Sequence, residues 1–192
     1  GVAAPITTFT ERNKRVNSVY GTATLSYANK IFLDVTGRND WSSTLPSGNN
    51  SFFYPSVSTS FILSDLLRLP EQISFAKLRA SWAQVGNDTA PYKTAKYYNT
   101  SAFPGSASVS STLYNARFKP EISNSIEVGL DWRMFKQRFG LDLAFYNNIT
   151  RNQILDVPMD QTTGYTKATM NSGKVRNRGI ELQLDGTPVK TK

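Results

Sequence analysis

The 192-residue sequence contains no cysteine and no histidine. Without cysteine, the chain can form neither a disulfide framework nor a thiolate metal site. Without histidine, it lacks the commonest general base and the commonest transition-metal ligand. We therefore expect no metal site, no cofactor and no catalytic residue, and we predict that the chain is not an enzyme.

Long apolar runs are also missing from the sequence. No stretch approaches the roughly 18 to 20 apolar residues that a membrane helix needs. A transmembrane barrel stays open as an interpretation, because its strands are apolar at only every second position. The segment Gly1–Thr10 has no charged-then-apolar signal pattern. We expect either that an export signal has been removed or that the natural chain begins upstream.

The net charge is +8, but the basic residues are scattered along the chain. No run of five or more basic residues occurs, as would be typical of a nucleic-acid-binding tail. This distribution favours solvated surface charge, and we expect no nucleic-acid partner.

The clearest pattern in the sequence is a two-sided alternation from Asn124 to Asn148. Apolar residues occupy every second position on either side of a short break at residues 134–138. They are Ile126, Val128, Leu130, Trp132, Phe139, Leu141, Leu143 and Phe145. Because side chains of a strand alternate between faces, the pattern predicts an antiparallel hairpin with one apolar and one more polar face.

Similar alternation predicts about seven strands in all. They run over residues 18–28, 31–38, 53–64, 75–85, 125–133, 139–146 and 180–185. Residues 1–17 are predicted to form a loop or arm, and a short helical turn ended by Pro70 is expected within 65–74. Long irregular connections are expected at 39–52, 86–121 and 149–171, all at one end of the strands. That asymmetry is typical of outer-membrane barrels.

Several ordered stretches resemble one family, the SusC/RagA-type TonB-linked outer-membrane proteins of Bacteroidetes. The segment Lys77–Asn87 (KLRASWAQVGN) is similar almost throughout to the family pattern KLRaSyGqvGN. The other matching stretches are Ser18–Lys30, Thr36–Ser43, Tyr54–Ser58, Lys119–Glu121, Glu127–Asp131, Tyr146–Leu155 and Asn171–Leu182. Each is weak alone, but their order is specific, and together they cover nearly all of the chain from Ser18 to Thr187.

The resemblance implies an all-β fold, an antiparallel up-and-down meander that forms part of a large transmembrane barrel of about 22 strands. Residues 1–192 would be a partial barrel, with strands in 18–188. The plug domain, the TonB box and the remaining strands of that family have no counterpart here, so we expect a segment of a larger protein.

The resemblance also implies a function and a location. A protein of this family sits in the outer membrane and takes up oligosaccharides or peptides with energy delivered through TonB. A SusD-like surface lipoprotein covers the barrel from outside. The apolar faces of the strands would then meet outer-membrane lipid.

Candidate site residues follow from the polar faces and the loops. Seven charged residues are predicted to face the lumen: Lys77, Arg79, Glu127, Asp131, Asp142, Glu181 and Asp185. The competing interpretation is a set of solvated or mutually paired wall charges. Loop aromatics are predicted to contact substrate, namely Trp41, Tyr97 and Tyr98. Plain packing within the loops is the alternative for these rings.

The rival function is a soluble, non-enzymatic ligand-binding module with a β-sandwich fold. In that case the apolar side chains of the same alternation would face a dry core. The two hypotheses differ in what covers Leu130, Leu141 and Leu182. A sandwich packs them against a second sheet, whereas a barrel exposes them to hydrocarbon.

Overall fold

The computed structural model describes residues 11–96, 98–100 and 105–188. In this part of the chain, ten strands follow one another. In order they are β1 (Val16–Tyr27), β2 (Ile31–Ser42), β3 (Ser51–Ile62), β4 (Ile73–Asn87), β5 (Tyr98–Thr100), β6 (Ala107–Val109), β7 (Thr112–Leu113), β8 (Glu121–Met134), β9 (Phe139–Pro158) and β10 (Lys167–Gly186). Among the described residues, helical structure is limited to α1 (Leu63–Leu66) and a 3-10 turn at Gln161–Thr163. None of the described helices has the length and apolar character that a membrane crossing would require.

The seven long strands form one open sheet in the order β1-β2-β3-β4-β8-β9-β10. All of these neighbours pair antiparallel. The predicted meander of about seven long strands is therefore confirmed. The short strand β7 pairs parallel with the first residues of β10, Lys167 and Ala168. Strands β5 and β6 form a separate two-stranded sheet.

The register aligns the side chains of all seven strands on two continuous faces. The polar face is defined here by Asp34, Ser58, Arg79, Glu127, Asp142 and Glu181. The apolar face is defined by Val35, Val57, Ala80, Val128, Leu143 and Leu182. A slip of one residue in any strand would exchange the two faces, so the alternation itself fixes the pairing.

The apolar face is open along its length in the part of the chain that the structure describes. Leu182 is 59% exposed and Val19 is 66% exposed. Leu130 and Leu141 are half-buried between their neighbours within the sheet, and no second sheet covers them among the described elements. The β-sandwich expected by the rival hypothesis is therefore wrong, because a sandwich would bury these side chains.

Several strands extend further than the sequence predicted. The segment 149–171, expected to be a loop, is mostly strand, since β9 continues to Pro158 and β10 begins at Lys167. Strand β2 continues to Ser42 and β1 begins at Val16, within the predicted arm. Beyond the apolar band, apolar residues occur on both faces, as at Ile154 and Leu155 of β9, so alternation gives no clear signal, although the backbone pairing persists.

The connections define two ends of the sheet. At the turn end lie the tight turn at residues 28–30, the α1 connection and the turn at residues 135–138. Ala28 and Asn29 adopt positive φ angles, which match the twist of a two-residue hairpin turn. At the loop end lie residues 43–50, 88–120 and 159–166. The expected helical turn is present as α1, but it begins two residues before the expected segment and ends at Leu66, so Pro70 does not end it.

Residues 105–120 of the long connection fold against the extended ribbon of β9 and β10. The Lys119 amide donates to Asn171 Oδ1 at 3.0 Å, and Asn171 Nδ2 donates back to the Lys119 carbonyl at 2.9 Å. Beside this contact, Phe118 and Thr169 are fully buried. Above it, the Thr166 amide donates to the Ser111 carbonyl at 2.9 Å. The loop end therefore has a small packed layer of its own.

Candidate functional site

All seven charged residues predicted from the sequence lie on the polar face. Lys77 pairs in register with Asp131, and Asp131 pairs with Asp142 on the next strand. Glu181 lies opposite Ala144, and Asp185 lies opposite Gly140. The structure thus brings these groups, separated by up to about a hundred residues of chain, onto one continuous wall.

Arg79 is anchored across an intervening strand. Its two terminal nitrogens donate to the carboxylate oxygens of Asp142 at 2.9 and 2.7 Å. Gly129 lies between them on β8, and a Cβ added there would collide with the Arg79 side chain. The absence of a side chain at Gly129 allows the guanidinium to span the roughly 10 Å between β4 and β9. Such a two-point contact fixes the orientation of both groups.

The same arrangement is repeated one strand further along the sheet. Arg133 on β8 donates to Asp131 at 3.0 Å and to Asp185 on β10 at 3.3 Å. Gly140 lies between Arg133 and Asp185 on β9, and a Cβ there would meet the Asp185 carboxylate. The wall therefore carries two arginine bridges, each of which passes over a glycine. The sequence placed these residues on one face but did not predict their pairing.

Two charges on this face keep their hydrogen-bonding capacity. Within the described residues, neither Lys77 nor Glu181 forms an ion pair. Lys77 lines a cavity of about 260 Å³ with Asp34 and Glu127. Glu181 lines a neighbouring cavity of about 370 Å³ that Glu127 also reaches. These free groups suit hydrogen bonding to a polar ligand or to another polypeptide better than they suit covalent chemistry.

A second polar cluster lies near the loop end of the first three strands and was missed by the sequence analysis. Arg38 donates to Asp40 at 2.8 Å and to Ser18 at 2.9 Å. The Tyr54 hydroxyl donates to the same Asp40 carboxylate. The signal was present, since Arg38 and Asp40 alternate with Gly37 and Asn39, but the predicted strand stopped at residue 38.

The predicted loop aromatics do not form one group. Trp41 lies within β2, not in a loop, and its side chain is on the apolar face. The segment 39–52 is rich in turn-forming residues, which concealed the end of the strand. Tyr98 lies in β5 and is 68% exposed. Tyr97 lies outside the described residues.

The loop end also holds a cavity of about 600 Å³. It lies between the arm residues Glu11–Asn13 and the loop residues Pro91–Ala95. Next to these arm residues in the chain, Lys14 forms an ion pair with Asp88 at 2.6 Å. Burial raises the pKa of Asp88, but hydrogen bonds from Lys14 and Ser42 outweigh it and hold that pKa below its ordinary value.

Comparison with known proteins identifies a common architecture. The model of the family "TonB dependent receptor-like, beta-barrel" matches residues 1–187. TonB-dependent receptor P26 of Formosa agariphila is 31% identical over 186 residues, which are 92% of this chain and 19% of that protein. TonB-dependent receptor SusC of Bacteroides thetaiotaomicron is 25% identical over 206 residues, with 97% of this chain and 20% of that protein covered.

Solved structures agree with the sequence matches. The RagAB peptide importer in its closed-closed state superposes with a TM-score of 0.83 and 25% identity, over 92% of this chain and 20% of that one. The siderophore receptor PirA from Pseudomonas aeruginosa shares the fold, with a TM-score of 0.63 at 17% identity over 89% of this chain and 31% of that one. The chain spans about one fifth of the length of the curated relatives that it matches. It belongs to the TonB-dependent receptor β-barrel family and forms part of the wall of an outer-membrane barrel.

Proposed function

We propose that the protein containing this segment imports oligosaccharides or peptides across the outer membrane with energy supplied through TonB. In this proposal residues 18–188 form part of the wall of a barrel of about 22 strands, which encloses a plug domain. The observation that carries the proposal is the pairing of an exposed apolar face with a charged, cavity-lined polar face in a chain of this family. Such a sheet suits hydrocarbon on one side and a hydrated lumen on the other.

Of the two substrate classes, peptides have the stronger support. The chain is similar to the RagAB peptide importer over 92% of its length. A peptide presents charged termini and backbone amides, and the free groups of Lys77 and Glu181 offer complementary partners of both signs. The similarity to SusC is compatible with a partner lipoprotein of the SusD type at the loop end. In that assembly Tyr98 and Tyr97 would contact the substrate or the lipoprotein. Trp41, on the apolar face of β2, would lie at the membrane boundary instead.

An uptake assay tests this proposal. Cells that lack the full-length receptor gene, or that lack TonB, are supplied with fluorescent oligopeptides and, separately, with fluorescent oligosaccharides. We expect accumulation of one substrate class to be lost in both strains. It should return when each strain receives an intact copy of the gene that it lacks. Accumulation of both classes at wild-type rates in both strains would contradict the proposal.

A further inference from the structure

The apolar face carries no acidic residue on the seven long strands, from the turn end as far as a bulge at Asn152. At this bulge Arg151 pairs with Lys174 and Gln153 pairs with Gly173. Its charged residues over this described region are all basic and lie on two adjacent strands. They are Arg151 on β9 and Lys174, Arg176 and Arg178 on β10. Each of the four side chains is exposed. A cluster of like charge on a face that is otherwise uncharged requires an explanation other than the random scatter of surface charge.

The cluster begins where the apolar band ends. On β10 the apolar side chains Leu184, Leu182 and Ile180 are followed by Arg178, one step of about 7 Å further along the face. On the neighbouring strands the first polar residues of this face are Asn147 and Asn124, which are followed by Ile149 and Ile122. Asn147 pairs directly with Arg178, whereas Arg176 pairs with Ile149 and Arg151 pairs with Ile122, so polar and apolar side chains alternate beyond the band. Arg178 therefore lies at the end of the unbroken apolar band, and the other three cations lie within about 14 Å of it toward the loop end.

The four cations have no carboxylate partner among the described residues. Arg176 donates to the neutral Asn147 side chain at 2.9 Å, and none of the four takes part in an ion pair. Neighbouring positions along the strand are about 7 Å apart and adjacent strands about 5 Å apart, so the charges repel one another. An anion that bridges them would relieve that repulsion.

We propose that these four residues form a binding site for the phosphate group of a membrane lipid. Guanidinium groups bind phosphate oxygens in a two-point contact, and lysine adds a compact charge. The acyl chains of the same lipid would lie on Ile180, Leu182 and Phe145, which are exposed directly below the cluster. A soluble anion would use the charges but not this apolar surface, so the combination selects a lipid over free phosphate. The inference rests on the position of the sheet in the outer membrane and not on the transported substrate.

Native mass spectrometry of the delipidated full-length receptor in detergent tests the site. The probe is phosphatidic acid, with a diacylglycerol of identical chains as its phosphate-free match. Each of Arg151→Gln, Lys174→Gln, Arg176→Gln and Arg178→Gln is expected to weaken binding of phosphatidic acid about fivefold. The quadruple variant is expected to weaken it more than about a hundredfold, and diacylglycerol binding is expected to be weak and equal in all proteins.

Two further variants keep the test specific. Glutamine at the loop cations Arg12, Lys93, Arg117 and Lys119 removes the same charge outside the strands and is expected to leave binding unchanged. The variant Arg151→Lys/Arg176→Lys/Arg178→Lys keeps the charge and is expected to retain most of the affinity. The inference is overturned by wild-type binding in the quadruple variant, by an equal loss in the loop variant, or by displacement of the lipid by an equal concentration of inorganic phosphate. Since no uptake is measured, failure here leaves the proposed transport untouched.

Discussion

Arg79 on β4 and Asp142 on β9 form a two-point ion pair across the strand that separates them, and Gly129 of that strand lies directly beneath the bond. Cross-strand pairs ordinarily join neighbours, because directly opposite Cβ atoms are only about 5 Å apart. A bridge over a third strand ties three strands into one unit. Arg133, Gly140 and Asp185 form the second unit, offset by one strand.

The first prediction concerns the glycine beneath this bridge. Gly129→Ala places a methyl group where the Arg79 side chain lies, and the guanidinium must leave Asp142. We expect the loss to cost about 1–2 kcal/mol of unfolding free energy, since the pair is half-exposed and screened by water. The measurement is urea unfolding of the full-length receptor in lipid vesicles, followed by tryptophan fluorescence.

A matched control exists at Gly21, where an added Cβ meets nothing within 4 Å. Gly21→Ala is expected to be neutral. Asp142→Asn should cost about as much as Gly129→Ala, and the double variant should cost little more than either single one, because both changes remove the same interaction. Fully additive losses would show that the glycine does not act through the bridge.

The sequence was informative where one face of a strand meets lipid and the other meets water. There the alternation of Ile126, Val128 and Leu130 gave the strand and its face correctly. It failed over residues 149–171, because apolar residues such as Ile154 and Leu155 lie on both faces there and break the alternation. It also failed to pair Arg79 with Asp142, which lie 63 residues apart. The face on which a side chain lies can be inferred from alternation within one strand. The ion pair between Arg79 and Asp142 depends on the register of three strands, which a single sequence does not give.

The second prediction tests the assignment of the two faces. Spin labels at Glu181→Cys and Leu182→Cys in the full-length receptor, without other cysteines, sample adjacent positions on opposite faces. We expect the label at 181 to collide with a water-soluble nickel complex, and the label at 182 to collide with oxygen dissolved in the hydrocarbon. Labels at Gln183→Cys and Leu184→Cys should repeat the contrast with a period of two. A lack of alternation would show that the apolar face is not against lipid.

The third prediction concerns pH and the arm. The pKa of Asp88 is lowered in the fold, so its ionised form favours the native arrangement. The contribution is complete above the ordinary carboxylate pKa of about 3.9 and is lost as pH falls through the lowered value. The Arg15 amide, which donates to Ser43 Oγ at 2.9 Å, reports on this contact. We expect its protection from hydrogen exchange, corrected for intrinsic rate, to persist at pH 7 and to fall below pH 4.

The variant Asp88→Asn separates this effect from general acid unfolding. It removes the ion pair with Lys14 at every pH, at a cost of roughly 1 kcal/mol. Protection of the Arg15 amide should then be low already at pH 7 and should change little on acidification. A variant with wild-type protection at pH 7 would exclude Asp88 as the anchor of the arm.

The fourth prediction concerns the layer at the loop end. Phe118 is fully buried, and the adjacent Lys119 is bonded to Asn171 through both its amide and its carbonyl. Phe118→Ala should cost about 3 kcal/mol or more, because truncation of a buried ring leaves a cavity. The cost should appear locally, as release of residues 105–120 from the ribbon, because the barrel strands do not depend on this contact. We expect trypsin to cut after Arg117 about a hundredfold faster, with unfolding of the barrel unchanged. The control is Val109→Ala, which truncates an exposed side chain in the same connection. This variant should be cleaved at the wild-type rate. Equal cleavage of both variants would mean that Phe118 does not hold the loop to the ribbon of β9 and β10.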